Sequence, residues 1–187
     1  MTHHVTIPRL FSGGLMANYY CTSRCKHCLY YCSPAWTKDY IDRQTTESVL
    51  QTLHRMDCSS IHIGGGEPFL RPDGLKTVLS TFRDINMGLD YVETNCSWYK
   101  DHDSAVTLLK ELKGEGLGTI LVSISPFHNE YIPFRKTMGV IEAARATGVG
   151  VFPWVDGFMR DLGEFDRNTT HSLEEFEQHF GSGYVRN

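Results

Sequence analysis

Ile61-His62-Ile63-Gly64-Gly65-Gly66-Glu67-Pro68 is a short β-type run that stops on three glycines, an acid and a proline. A helix signal follows: Pro72 suits a first turn, and Leu75, Val78, Leu79 and Phe82 recur at i, i+3, i+4 and i+7. Strand, glycine turn and helix in that order make one β–α unit. Glycines at a strand end let a ligand approach the backbone, because they carry no Cβ and tolerate unusual φ/ψ. The turn is not a nucleotide P-loop. No Lys-Ser/Thr pair follows, and the G-x-G-x-x-G spacing fails at Phe69.

The same unit repeats on both sides. Leu15–Tyr20 reads as a first strand, and Thr45 or Thr46 can cap a helix striped by Val49, Leu50, Leu53 and Met56. Gly88 stops the helix after Pro72, and Leu89–Val92 is the third strand. Its helix carries Ala105, Leu108, Leu109 and Leu112 and ends at Gly114 and Gly116. Gly118–Ser125, apolar and β-branched, reads as a fourth strand buried on both faces. Val140, Ile141, Ala143 and Ala144 stripe a helix ending at Gly148, and Val149–Val155 is the fifth strand. Ser172 with Glu175 forms a capping box before Leu173, Phe176 and Phe180. Strands alternating with helices at near-equal steps imply a parallel sheet with right-handed crossovers. The expected fold is α/β: a partial (β/α) barrel of parallel strands with outer helices, about five to six βα units.

Upstream of the glycine turn lies Cys21-Thr22-Ser23-Arg24-Cys25-Lys26-His27-Cys28, a C-x3-C-x2-C run within one short loop. Three thiolates leave a four-iron cluster one ligand short, since fully ligated [4Fe–4S] clusters take four cysteines. An open coordination position is what separates catalytic from structural metal sites. Cys32, followed by Ser33 and Pro34, extends the run toward the ferredoxin spacing, in which all four thiolates are used for electron transfer. A zinc-stabilised binding module is the other reading, although no second C-x2-C pair is present. The loop by itself leaves all three open.

The paired motifs resemble the radical S-adenosylmethionine (radical SAM) superfamily, which couples C-x3-C-x-aromatic-C to a Gly-Gly-Glu strand end. Here the aromatic slot is His27 and the triplet is Gly65, Gly66 and Glu67. Glu93-Thr94-Asn95 and Ser123-Ile124-Ser125 extend the likeness, which spans about residues 15–156. The resemblance implies a [4Fe–4S] cluster on Cys21, Cys25 and Cys28, with S-adenosylmethionine chelating the fourth iron. It implies cofactor contacts from the backbone of Gly65, Gly66 and Glu67, from Asn95, from Ser123 or Ser125, and from His27 beside adenine. Arg24 and Lys26 would favour ionised thiolates. Reductive cleavage to a 5′-deoxyadenosyl radical would abstract hydrogen from a small-molecule or peptide substrate, with a reductant such as flavodoxin or ferredoxin.

On strand order alone, the cysteine loop, Gly64–Glu67, Glu93–Asn95, Ser123–Ser125 and Trp154–Asp156 all fall at C-terminal strand ends, where α/β folds place chemistry. His128, Glu130 and Cys96 are candidate catalytic groups there, and Asp156 is a weaker one. Cys58 is expected to pack, and His62 to be a hydrogen-bonded core residue. His3, His4, His54, His102, His171 and His179 read as surface groups.

The 187 residues suffice for one domain, with 1–14 a lead-in, 15–156 the motif-bearing core and 157–187 a final helix and truncated end. The family's usual sixth strand would begin at Gly183–Val185, where the sequence stops. A net charge of −4 argues against a nucleic-acid partner held through phosphates. No apolar stretch reaches transmembrane length, and six cysteines without a secretory signal favour reduced thiols in the cytoplasm.

Overall fold

The structure, a computed structural model, describes residues 9–185. His3 and His4 lie outside the described residues. Five parallel strands run in sequence order across one sheet: β1 (Gly14–Met16), β2 (Ser60–Gly64), β3 (Gly88–Thr94), β4 (Thr119–Val122) and β5 (Gly150–Pro153). Helices α1 (Arg43–Arg55), α2 (Pro72–Ile85) and α3 (His102–Gly114) fill the first three gaps. A short α4 (Pro126–Asn129) precedes α5 (Phe134–Thr147), and α6 (Gly157–Leu162) and α7 (Leu173–Phe180) follow β5. This is the partial barrel that the repeat of units implies.

Strand register explains why the sheet has one dry face. Leu15 pairs with Ile63, Ile63 with Val92, Val92 with Ile120, and Ile120 with Val151. Successive side chains alternate faces, so this apolar row packs as a unit against Leu50, Leu75, Leu79, Leu109, Val140 and Ala144 of the outer helices. The residues one step on, Gly64, Glu93, Leu121 and Phe152, face the opposite, concave side. Sequence periodicity found the helices because each shows an apolar stripe to this layer.

Several boundaries differ from expectation, each for a local reason. The first strand ends at Met16 rather than Tyr20, because Tyr20 instead bridges Ser33 across the base of the cysteine loop. Asp42, not Thr45 or Thr46, caps α1: its carboxylate accepts from the Thr45 N–H at 2.7 Å, and Thr46 is buried. Asn86, left-handed at φ 58°, ends α2 and leaves Gly88 to open β3. The fourth strand stops at Val122 because Ser125 becomes the N-cap of α4. Ser172 and Glu175 do form the capping box of α7. Cys58 packs in the core, 1% exposed.

Tyr184 lies in a turn, not a strand, and stacks on Phe176 and Phe180. Phe176, Phe134, Leu162 and Ile124 form a second small core, with Phe165 and Phe180 packed on it. His171 is not a surface group: its ring sits on Phe165 at 4.9 Å. Asp156 is exposed at the start of α6. Phe176→Ala should therefore cost about 3–5 kcal/mol in urea unfolding. A loss below about 1 kcal/mol would mean that α7 contributes no packing to the fold.

Candidate active site

The glycine turn after β2 is shaped by the chain that crosses it. The Gly66 N–H donates to the Asn18 carbonyl at 2.9 Å and the Glu67 N–H to the Tyr20 carbonyl at 3.0 Å. Asn18 Nδ2 returns a bond to the Glu67 carbonyl at 3.2 Å. A Cβ on Gly66 would overlap the Tyr20 carbonyl, and one on Gly65 the Asn18 side chain. Close approach of the segment leading into the cysteine loop demands these two glycines, whatever else they admit. The Gly65 and Gly66 carbonyls carry no hydrogen bond among the described residues.

The cysteine loop is pinned at its base by the Tyr20–Ser33 bridge and the Cys21 N–H on the Ser33 carbonyl at 3.3 Å. Inside it the Cys28 N–H donates to the Cys25 carbonyl, and Tyr131 Oη donates to the Arg24 carbonyl at 2.8 Å. Cys21, Cys25, Cys28 and Cys32 all open on one cavity of ≈ 450 Å³. Burial, rather than Arg24 and Lys26, governs Cys21, Cys25 and Cys32. It pushes Cys21 up to about 11, and Cys25 and Cys32 up to about 12, with neighbouring thiols adding to the rise at Cys25 and Cys32. At Cys21 and Cys25 burial thus outweighs the expected help from Arg24 and Lys26, and ligation there expels protons.

Glu67 is fully buried and does not face the cavity. Its carboxylate accepts from the Phe69 N–H at 3.1 Å, the Asn95 N–H at 2.6 Å and Thr94 Oγ1 at 3.1 Å. The side chain is thus a brace between the ends of β2 and β3. Asn95, held by it, turns its amide to Cys21, with Nδ2 3.2 Å from Sγ. Asn95 also lines the cavity.

Ser123 and His27 line the cavity. Ser125 does not: its hydroxyl caps α4 and lies 2.8 Å from His128 Nδ1. His128 reaches the wall edge-on to His27, ring centres 4.8 Å apart, and burial holds it down to about 3, so it stays neutral near pH 7. Two catalytic candidates are displaced. Cys96 is completely buried in the main core, because left-handed backbone at φ 67° turns it away from the cavity. Glu130 lies behind the loop beside Cys25, its Oε2 buried and without a hydrogen bond among the described residues.

Part of the far wall lay outside the sequence reading. His62, expected in the core, faces the cavity and stacks on Tyr91 at 4.9 Å, and Leu121 joins them, while Glu93 and Trp154 line the cavity from the strand ends where they were expected. Alternation was the available signal, since Tyr91, Glu93 and Asn95 share one face of β3.

Three strand ends and one loop therefore deliver thiols, open carbonyls and a hydroxyl to a single cavity. A family model described as the radical SAM superfamily matches residues 17–173. The chain belongs to the radical SAM superfamily. Membership implies a [4Fe–4S] cluster and S-adenosylmethionine as the cofactors of this site. Two solved structures share its fold. Native anSMEcpe with bound AdoMet aligns at TM-score 0.56 and 18% identity, over 77% of this chain and 43% of that one. HydG, a maturase of the [FeFe]-hydrogenase, aligns at TM-score 0.56 and 18% identity, over 92% and 41%. The chain thus spans about two fifths of the length of each. No curated protein matches it in sequence.

Burial pushes the Glu67 carboxyl up to about 7, against the pull of its three donors. A raised folded pKa makes this contribution full below the ordinary 4.5 and lost as pH climbs through 7. Glu67→Gln, whose NH2 must meet a backbone N–H, should lose about 1–3 kcal/mol in urea unfolding and flatten the decline between those pH values. Unchanged stability with an unchanged slope would rule out the brace.

Proposed function

We propose that this radical SAM chain cleaves S-adenosylmethionine reductively and uses the product to abstract hydrogen from a small-molecule or short-peptide substrate. The observation that carries the reading is the convergence of Cys21, Cys25 and Cys28 on the cavity that Gly65, Gly66 and Ser123 also line. The donor set suits the cluster: three thiols spread round a wall.

Cys21, Cys25 and Cys28 would hold three irons. The Gly65 and Gly66 carbonyls are free to accept from the cofactor's amino group, and Ser123 can meet its ribose, with the His27 segment near adenine. When bound, the reduced cluster and cofactor together supply a 5′-deoxyadenosyl radical. The chain's own residues orient and shield. Asn95 donates to Cys21 Sγ, and a hydrogen bond to a ligand sulfur tunes a cluster's reduction potential. His128, neutral and tied to Ser125, walls the site without offering a proton near pH 7.

A flavodoxin- or ferredoxin-type protein is the proposed reductant. The six free thiols fit a reducing, cytoplasmic setting. Among the described residues no helix is long and apolar enough to cross a membrane.

Cys32, 4% exposed on the same cavity, favours one second reading: a four-cysteine electron carrier. Two variants separate the readings. The anaerobically reconstituted protein with dithionite and S-adenosylmethionine should release 5′-deoxyadenosine, and Cys25→Ala should abolish that release. Cys32→Ala should keep its iron and its cleavage. Loss of the cluster in Cys32→Ala, with no cleavage by the unaltered protein, would establish the electron carrier instead.

A further inference from the structure

The concave face of the sheet below the cysteines carries a second group of residues that cofactor binding does not use. Glu93 stands two residues before Asn95 on β3, on the same face and roughly 6–7 Å deeper by strand rise. Its carboxylate overhangs Gly64, where a Cβ would lie 3.0 Å from Oε2. The glycine thus clears space for it. The side chain is only 32% exposed, yet no hydrogen-bond donor among the described residues reaches it. His62 Nε2 lies 3.6 Å from its Oε1.

Aromatic rings surround this acid. His62 lies parallel on Tyr91 at 4.9 Å, and Tyr91 meets Phe152 edge-on at 5.4 Å, with Trp154 exposed at the rim. Register puts Glu93 beside Leu121 and Leu121 beside Phe152 in one inward row. Among the described residues Glu93 is the one carboxylate on the cavity wall, and neither lysine nor arginine lines it. Such a surface repels phosphates and carboxylates. A half-buried carboxylate without a donor is costly, and an incoming cation relieves that cost. Ring faces beside it add cation–π attraction.

We propose that Glu93, with the Tyr91 and Trp154 rings of the cavity wall, is the substrate subsite, and that it selects a substrate presenting an ammonium group beside an apolar or planar moiety. This rests on the reading of the cavity as a radical SAM site and names the class of molecule it acts on. His62 positions the Glu93 carboxylate and closes the inner end of the subsite.

Benzylamine, benzyl alcohol and benzoate share a ring and differ in charge. Their binding to the reconstituted, S-adenosylmethionine-loaded protein can be compared by calorimetry and saturation-transfer NMR. Benzylamine should bind at least about tenfold tighter than benzoate, with the alcohol between, and Glu93→Gln should erase most of that difference. The comparison on the unaltered protein stands even if the variant fails to fold. Benzoate binding as tightly as benzylamine, no benzylamine binding, or a preference that survives Glu93→Gln would each overturn the subsite. So would a Glu93→Gln variant that loses affinity for S-adenosylmethionine alone, because the acid would then belong to the cofactor. Absence of 5′-deoxyadenosine release by the same preparation would count against the proposed function instead.

Discussion

The buried carboxylate of Glu67 is the constraint on which the rest of the site depends. It satisfies two backbone N–H groups and one hydroxyl that no strand ladder serves: Phe69 after the glycine turn, then Asn95 and Thr94 at the end of β3. Fixing Asn95 in turn aims its amide at Cys21, so the geometry of a cysteine is set by an acid on another strand. Such a network is valuable only when fully satisfied, because a single missing partner leaves a buried polar group uncompensated. Here every carboxylate contact is made inside the protein, and the side chain faces away from the cavity it organises.

Division of labour between the two sheet faces follows from alternation. The row from Leu15 to Val151 is dry and holds the helices, so it can be apolar without exception. The opposite face is left to chemistry, and its residues are correspondingly mixed: Gly64, Glu93, Leu121 and Ser123. Near the cysteines this face offers backbone carbonyls and one hydroxyl. A pleat repeat deeper it offers a lone carboxylate among rings. The gradient suits a cofactor held at the strand ends with its reaction partner beneath.

Several residues that looked chemical turned out to be architectural. Cys96 and Ser125 sit beside motif residues in sequence, yet one points into the core and the other caps a helix. His62 moved the other way, from strand interior to cavity wall. Side-chain direction at a strand end is decided by backbone turns such as the left-handed conformation of Cys96, which local sequence barely signals.

By itself the sequence determined the alternating β and α units, the helix stripes, the cysteine spacing and the glycine turn, and with them the family and its cofactors. These features are local: periodicities of two and 3.6 and short spacings are written within a few residues of one another. Only the tertiary structure decided that the Glu67 side chain braces β2 to β3, that the Asn95 amide meets Cys21, and that Glu93 stands on the cavity wall beside His62. Each of those facts is a meeting between strands 27 or more residues apart. The register of the parallel sheet sets such meetings, and no stretch of chain encodes that register alone.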